Sequence, residues 1–580
     1  MNPSDPTLSG LTRRDWLQAA AAAGALTLIP GSALATRSRS WRAPGNRSRQ
    51  RLVEAAHFGR KKGVSSKDGV AICTHPLASQ AAIDMLKLGG NACDAIMAAS
   101  LAQAVVEPHM TTLSGCLSML YYDAASGEYS YVNGMMAVPK SHPFFEKPED
   151  LAKMGDMTRD GQLACVPGFW AGFESGHERH GRLPRGTVMA PAIHYAREGF
   201  EIHPFLWGEM FVESANLGRA DASREMYFRD GALLNVGDTL VQTQLADTLE
   251  RLVTEGSDWF YRGEFGRRYA ATVQDQNGYV TADDMAGYEA FWDTPARGSY
   301  RDYEIIAAPS PDYGGEAFIE IMNMAELLDI QKLGPAFESP ETTLKLMQMI
   351  GRVYSDSIGG RMTGKPLDSE LAMSKAFAEE RFANLEGKPA SPYDALGAVP
   401  PPGSNHVTVV DGEGNVATIL HSVMSLPYTT GIWVDGVYVC ASGVHMGSGI
   451  PEPGGRAFAR ILPNMFAADG KPVLASGSPS VSLTENIVQT SISMLDFGLD
   501  IETAVHKPRF GGSSMSNFGA LMVEADMGEK TFEHLRGAGA IIEKVNPWNW
   551  THGSFEGIRI EAGVASACGD PRRTAQAIAV

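Results

Sequence analysis

Past the middle of the chain, Pro401-Pro402-Gly403-Ser404-Asn405-His406 runs straight into Val407-Thr408-Val409-Val410. The β-branched run reads as a buried strand, which commits this part of the chain to a sheet inside a core. The connector before it is stiff and Pro-rich. It ends in a glycine free to take strained dihedrals, and a hydroxyl residue stands next, at the start of the strand. Such a junction suits self-cleavage. A cut between Gly403 and Ser404 turns an ordinary serine into an N-terminal one, which carries nucleophile and base on one residue, because its α-amino group titrates near neutrality. Taken alone, the six residues also fit a plain loop entering a strand.

Elsewhere the apolar spacing alternates between helix and strand. Ala78, Ala82, Met85 and Leu86 recur at helical spacing before Gly89-Gly90, and Asn91 is placed to cap an Ala-rich helix running through Ala104. Ser118 to Tyr122 and Tyr129 to Asn133 read as a hairpin. From about Pro167 to Val353 the pattern is helix-rich, with amphipathic stretches over Met189 to Arg197 and Phe318 to Leu328. After Ser404 strands dominate: His406 to Val410, Val416 to Val423, Gly431 to Val434 and Val437 to Cys440, separated by Asp411-Gly412 and Asp435-Gly436 turns. A helix over Glu485 to Phe497 follows. This order predicts an α/β protein with two sheets between helix layers. Across 580 residues no linker is long enough to split the chain, so one large unit is expected.

The same stretches carry a set of motifs. They are Thr74-His75-Pro76-Leu77-Ala78-Ser79, Gly89-Gly90-Asn91-Ala92-Cys93-Asp94-Ala95, Val105-Val106-Glu107-Pro108-His109, Val166-Pro167-Gly168, the Pro309 to Gly315 turn, Gly477-Ser478-Pro479 and Gly569-Asp570-Pro571-Arg572. In this order, from about residue 65 to the C-terminus, the chain resembles the γ-glutamyltransferase (γ-glutamyl transpeptidase) family of the N-terminal-nucleophile hydrolase superfamily. The resemblance implies a four-layer αββα sandwich formed jointly by two chains after self-cleavage. Residues 65–403 would make the large subunit and residues 404–580 the small one, beginning at the nucleophile. In that family the cut precedes a Thr-Thr-His triplet, which falls here on Ser404-Asn405-His406.

On this resemblance the Ser404 hydroxyl attacks the Gly403 carbonyl, water opens the ester, and the freed amine activates Ser404 against a small-molecule amide. The acyl group then passes to water or to an amine. Ser422 matches a family Thr whose hydroxyl orients the nucleophile; from the residues alone it fits a solvent-facing strand position equally well. Asn415, in the Gly414-Asn415 turn, fits a supporting hydrogen bond or, better, a plain turn residue. The family's oxyanion hole, two backbone N–H groups of a Gly-Gly pair, falls on Ser480 and Val481, neither of which takes positive φ as cheaply as glycine. The acyl pocket departs further. The arginine that grips a γ-glutamyl carboxylate falls on Met135 and an asparagine on Met424. Acidic and amide positions fall near Ser442 and His445, and a Ser-Ser pair on Pro463 and Asn464. A zwitterionic head among thioethers lacks charge partners, whereas methionine adapts to apolar and aromatic groups. Acyl specificity changed away from γ-glutamyl is therefore expected. Two other readings stay open: a true γ-glutamyltransferase or glutathione hydrolase with ionic partners such as Arg456 or Arg460, and an uncleaved, non-catalytic binding protein.

Composition narrows the partners. An apolar fraction of 44% with 20% charged residues is that of a soluble globular protein. A net charge of −18 argues against nucleic acid. Thr12-Arg13-Arg14-Asp15-Trp16-Leu17, the apolar stretch Ala19 to Ile29 and Ala33-Leu34-Ala35 read as a twin-arginine export signal over residues 1–35, too short for a stable membrane anchor, and point to the periplasm. Residues 36–64 read as a basic flexible segment. The six cysteines have no Cys-x-x-Cys spacing and no His-Glu-x-x-His motif occurs, so no metal or other cofactor is expected, and the absence of a Gly-x-Ser-x-Gly elbow argues against a third reading, a conventional serine hydrolase.

Overall fold

The β-branched run after Ser404 forms the strand Asn405–Asp411, and every residue of it is buried. A computed structural model describes it, together with the rest of residues 40–387, 389, 403–514 and 519–580. The expected export signal and Pro401-Pro402 lie outside the described residues. From Trp41 onward the chain is one unit.

Asn405–Asp411 lies third in an antiparallel seven-stranded sheet whose order is Gln576–Ala579, Gly69–Cys73, Asn405–Asp411, Val416–Ser422, Cys116–Asp123, Glu128–Gly134 and Phe291–Asp293. A second seven-stranded sheet runs Gly63–Ser66, Val564–Cys568, Ile558–Glu561, Lys471–Ser476, Asn464–Ala468, Tyr303–Ala307 and Ala296–Tyr300. The two sheets face each other across Val70, Ile72, Val410, Val416, Ala467, Ala475, Ala565 and Ala567, small or β-branched side chains suited to sheet-on-sheet packing. Strand alternation decides which way each residue looks. Val407 and Val409 join the core under the helices, and Val410 joins the core between the sheets.

The fully buried helix Ala92–Val106 covers the first sheet together with Phe169–His180, and Gly314–Glu326 covers the second. The chain is thus the expected four-layer αββα sandwich. Asn91 and Asp94 close a reciprocal capping box at the start of the first of these helices, as its sequence requires.

Three expectations are corrected. The helix-rich middle also holds the hairpin Ala296–Tyr300 and Tyr303–Ala307. Its first strand, Ala-Arg-Gly-Ser-Tyr, lies on a sheet edge and lacks the apolar alternation that announces a strand. The strands expected over 431–440 shrink to Trp433–Val434 and Val437–Tyr438, paired only with each other. Finally, the basic segment is not a flexible tail from Trp41 on. It carries the helix Asn46–Ala55 and the strand Gly63–Ser66. Its polar groups find partners: Trp41 donates to Asp84 at 2.9 Å, Arg49 to the Gly199 carbonyl at 2.8 Å, and Lys61 to the Ala55 carbonyl at 3.0 Å.

The Gly569–Arg572 motif builds a buried ionic knot. Asp570 pairs with Arg509 at 2.9 Å and Arg572 at 3.1 Å, and Arg572 pairs with Glu524 at 2.6 Å. Asp570 also accepts from the backbone N–H of Phe555 at 3.0 Å, which ties the knot to the loop carrying His552 and Glu556. Burial alone pushes the Asp570 carboxyl up, but Arg509 and Arg572 outweigh it and hold the group below its ordinary value. A depressed folded pKa contributes stability at neutral pH that is lost as pH falls through that lowered value. We expect Asp570→Asn to cost about 3–5 kcal/mol, because it leaves two buried arginines short of a counter-charge. Denaturant titration at pH 7 measures the loss, and the gap from wild type should narrow in acid.

Among the described residues no helix is long and apolar enough to cross a membrane. All six cysteines are buried and unpaired.

Candidate active site

Strands Asn405–Asp411 and Val416–Ser422 pair Asn405 with His421, so Ser404 and Ser422 come opposite each other at the open end of the hairpin. Their hydroxyl oxygens are 3.0 Å apart. Both hydroxyls donate to the Gly403 carbonyl, Ser404 at 2.7 Å and Ser422 at 2.5 Å. The Met424 N–H donates to Ser422 Oγ at 2.8 Å and fixes that hydroxyl's direction. Two hydroxyl donors on one carbonyl oxygen polarise the peptide that links Gly403 to Ser404. A side chain at position 403 would stand 2.6 Å from Val423 Cγ2 and 2.8 Å from the Ser425 carbonyl, so the site accepts only glycine there without moving.

Asn405 and His421 point the other way, toward the helix Ala92–Val106. Thr74 Oγ1 lies 2.8 Å from Asn405 Oδ1 and within hydrogen-bond reach of Glu107, and Gln103 donates to Thr74 and to Glu107. His421 meets Gln103 Oε1 at 2.9 Å and Ser100 Oγ at 2.7 Å. Burial pushes Glu107 up and drives His421 down to about 3, so the imidazole is neutral. This network fixes the strand pair from behind. Sequence reasoning missed it as a network, although Thr74 and Glu107 lie inside two of the motifs it singled out.

Asn415 is not near this end. It sits in the turn that closes the same hairpin, accepting from the Ala124 N–H at 2.9 Å and donating to Asp411 at 2.8 Å. At about 3.3 Å per strand residue, the length of the strand separates it from Ser404 by roughly 20 Å. The turn reading is the correct one.

The Gly477-Ser478-Pro479 turn lies against the hairpin: a side chain at Gly477 would strike the His406 ring. Beyond it Ser480 adopts φ +90°, the conformation a glycine would take. For a non-glycine residue that costs on the order of 1–3 kcal/mol and persists only where surroundings impose it. Here Ser480 Oγ donates to the His552 carbonyl at 2.9 Å, and Asn486 donates to the same carbonyl at 2.6 Å. Among the described residues the backbone N–H groups of Ser480 and Val481 have no acceptor.

Met135 and Met424 share one buried apolar cluster with Leu420, Met446, Leu163 and Phe144. Tyr288 donates to the Met135 carbonyl at 2.5 Å. Ser442 is buried beside Cys165 and Cys440. Burial, helped by the charge of Arg460, drives His445 down to about 4. Asn464, in contrast, spends its side chain inside the second sheet, donating to the Leu462 and Ser476 carbonyls at 3.3 and 2.9 Å and accepting from Ser476 Oγ at 3.1 Å. With Pro463 buried next to it and carrying no N–H, this pair braces a strand, and the Asn464 amide is spent inside the sheet. Two charged side chains escaped the sequence reading in part. Arg460 reads in the sequence only as an ionic partner and Glu485 only as a helix residue, yet both are buried and 4.0 Å apart, and Arg460 donates to the Val481 carbonyl at 2.5 Å.

Similar proteins are known. The family described as Gamma-glutamyltranspeptidase matches over residues 78–580. The glutathione hydrolase proenzyme of Bacillus subtilis (strain 168) is 27% identical over 487 residues, covering 78% of this chain and 82% of that protein. The acylase ACY 1 proenzyme of Pseudomonas sp. (strain SE83) is 30% identical over 472 residues, covering 77% and 83%. Among solved structures, cephalosporin acylase from Bacillus halodurans matches with a TM-score of 0.77 at 22% identity, over 93% of this chain and 98% of that one, and shares its fold.

Proposed function

As the chain belongs to the gamma-glutamyltranspeptidase family, and is by that membership an N-terminal-nucleophile enzyme acting on amide bonds, we propose that it is a self-processing amidohydrolase that works through an acyl-Ser404 intermediate. The observation that carries the reading is the convergence of the Ser404 and Ser422 hydroxyls on the Gly403 carbonyl. Ser404 Oγ adds to that carbonyl carbon, the bond to the Ser404 nitrogen breaks, and the nitrogen takes the hydroxyl proton. Water then hydrolyses the ester. The products are a large fragment ending in the Gly403 carboxylate and a small fragment, residues 404–580, with a free amine on Ser404.

In turnover the same amine takes the Ser404 hydroxyl proton as Oγ attacks the substrate amide. Ser422 orients Oγ, and the N–H groups of Ser480 and Val481 receive the negative oxygen. The amine leaves with the proton, and water, or a second amine, collects the acyl group.

The acyl group is apolar or aromatic in this reading. Its support is the burial of Met135 and Met424 in one thioether-rich cluster, where two unpaired charges of a γ-glutamyl head would go uncompensated. A panel of matched amides tests it. Neutral acyl amides should exceed the γ-glutamyl amide in kcat/KM. A γ-glutamyl preference of tenfold or more, about 1.4 kcal/mol in transition-state binding, would refute the altered pocket. One observation favours that second reading, a true γ-glutamyl hydrolase: the buried Arg460, 4.0 Å from Glu485, acts on His445 with its charge.

The site of action in this reading is the periplasm. Arg13-Arg14 precedes an apolar stretch ending in Ala33-Leu34-Ala35, as twin-arginine export requires. Replacing both arginines by lysine should leave the protein in the cytoplasm on cell fractionation; unchanged periplasmic accumulation would reject this route.

A further inference from the structure

Arg460 stands directly behind the turn that carries Ser480 and Val481. It donates to the Val481 carbonyl at 2.5 Å, lies 4.0 Å from Glu485, and stacks over the Tyr354 ring at 5.0 Å. Its side chain is 6% exposed and that of Glu485 2%, so both groups lie out of water. Tyr354 is itself tied to Thr484 by a 2.6 Å hydrogen bond, and Thr484 and Glu485 open the helix Leu483–Leu495. A carboxylate in the first turn suits that helix end. On the far side, the Ser480 hydroxyl is anchored to the His552 carbonyl. The turn is also walled in by glycines. A side chain at Gly512 would stand 2.6 Å from the Val481 carbonyl, and one at Gly553 2.3 Å from Ser480 Oγ.

The arrangement has a physical purpose. A Gly-Gly pair reaches positive φ without strain, but Ser480 at φ +90° does not, and such a residue relaxes unless it is held from both sides. Ser480 is held by His552, and Val481 by Arg460. We propose that Arg460, backed by Glu485, is a positioning residue for catalysis: by fixing the Val481 carbonyl it holds the Ser480–Val481 turn so that both free N–H groups meet the transition-state oxygen. The proposal rests on the reading of Ser404 as nucleophile and of these N–H groups as its oxyanion hole. It also gives the buried arginine a task other than gripping a substrate carboxylate.

The test uses Arg460→Met and Arg460→Lys in the full chain, with rates expressed per cleaved molecule. Methionine keeps the volume and loses the donor. Lysine keeps the charge but lacks the planar fork that serves Val481 and Glu485 together. Arg460→Met should lower kcat 10- to 100-fold while KM stays within threefold, and Arg460→Lys should shift in the same direction by less. Affinity for a boronic acid, whose tetrahedral adduct on Ser404 places an oxygen in the hole, should fall at least tenfold, while the product acid binds within threefold of wild type. A substrate-gripping arginine would instead raise KM and weaken the product acid at unchanged kcat, and that outcome overturns the proposal. So does retention of kcat and boronate affinity within threefold of wild type in a cleaved variant. If Arg460→Met does not accumulate, Arg460→Lys decides: a fall of more than threefold in kcat and boronate affinity supports the proposal, and retention of both within threefold overturns it. Wild-type protein that is active while uncut, or an active Ser404→Ala, would instead defeat the underlying reading and this inference with it.

Discussion

Ser404→Ala should remain a single uncut chain and should show no amide hydrolysis, a loss on the order of 10⁴-fold or more. The size follows from the residue's double duty, since one hydroxyl opens the Gly403 peptide and later carries the acyl group. Little stability should go with it. Ser404 is half-buried, and loss of its hydrogen bond to Gly403 costs about 1 kcal/mol. The melting temperature therefore separates a dead nucleophile from a misfolded chain. Ser404→Thr, which keeps the hydroxyl, should still cleave. Gel electrophoresis and intact mass read both variants, and cleavage of Ser404→Ala between residues 403 and 404 would mean that another group, or another protein, makes the cut.

Gly403→Ala should slow self-cleavage about 100-fold, the effect of displacing a reacting group by roughly 1 Å. The added methyl would lie 2.6 Å from Val423 Cγ2 and 2.8 Å from the Ser425 carbonyl. The valine is stiff at χ1 and the carbonyl belongs to the backbone, so the scissile peptide has to shift. The variant carries an internal control. Once cut, its small fragment is identical to the wild-type one, so turnover per cleaved molecule should match wild type within about twofold, the scale of an alanine substitution remote from the chemistry. A time course of fragment appearance, followed by kinetics on the cleaved fraction, measures both. Cleavage at the wild-type rate would show that the Gly403 geometry does not set it.

How much of this could be read from the sequence depended on the range of the signal. The pairing of Ser404 with Ser422 follows from two β-branched strands joined by an Asp-Gly turn, since the turn fixes the register and the register fixes which residues meet. The helix Ala92–Val106 announced itself by composition and cap. Asn415 was offered two roles, and the same register that brings in Ser422 puts it at the wrong end of the hairpin. Asn464 misled because a position matched to a family motif says nothing about which way an amide turns; here it turns into the sheet. The Ala296–Tyr300 strand was illegible because an edge strand of charged and small residues lacks the period-two pattern. Arg460 and Glu485 are twenty-five residues apart on different elements, and an ion pair of that kind leaves no periodicity to read. The replacement of a Gly-Gly pair by Ser480-Val481 was visible, but the devices that make the replacement workable are tertiary: the His552 carbonyl, the Arg460 guanidinium and the walls at Gly512 and Gly553.

Intact mass of the purified, active wild-type protein, with N-terminal sequencing of its smaller fragment, tests the central claim most directly. We expect two fragments, the larger ending at Gly403 and the smaller reading Ser-Asn-His-Val-Thr-Val from its first cycle. An active preparation made of a single uncut chain, or a small fragment that begins at any other residue, would contradict the assignment of Ser404 as an N-terminal nucleophile.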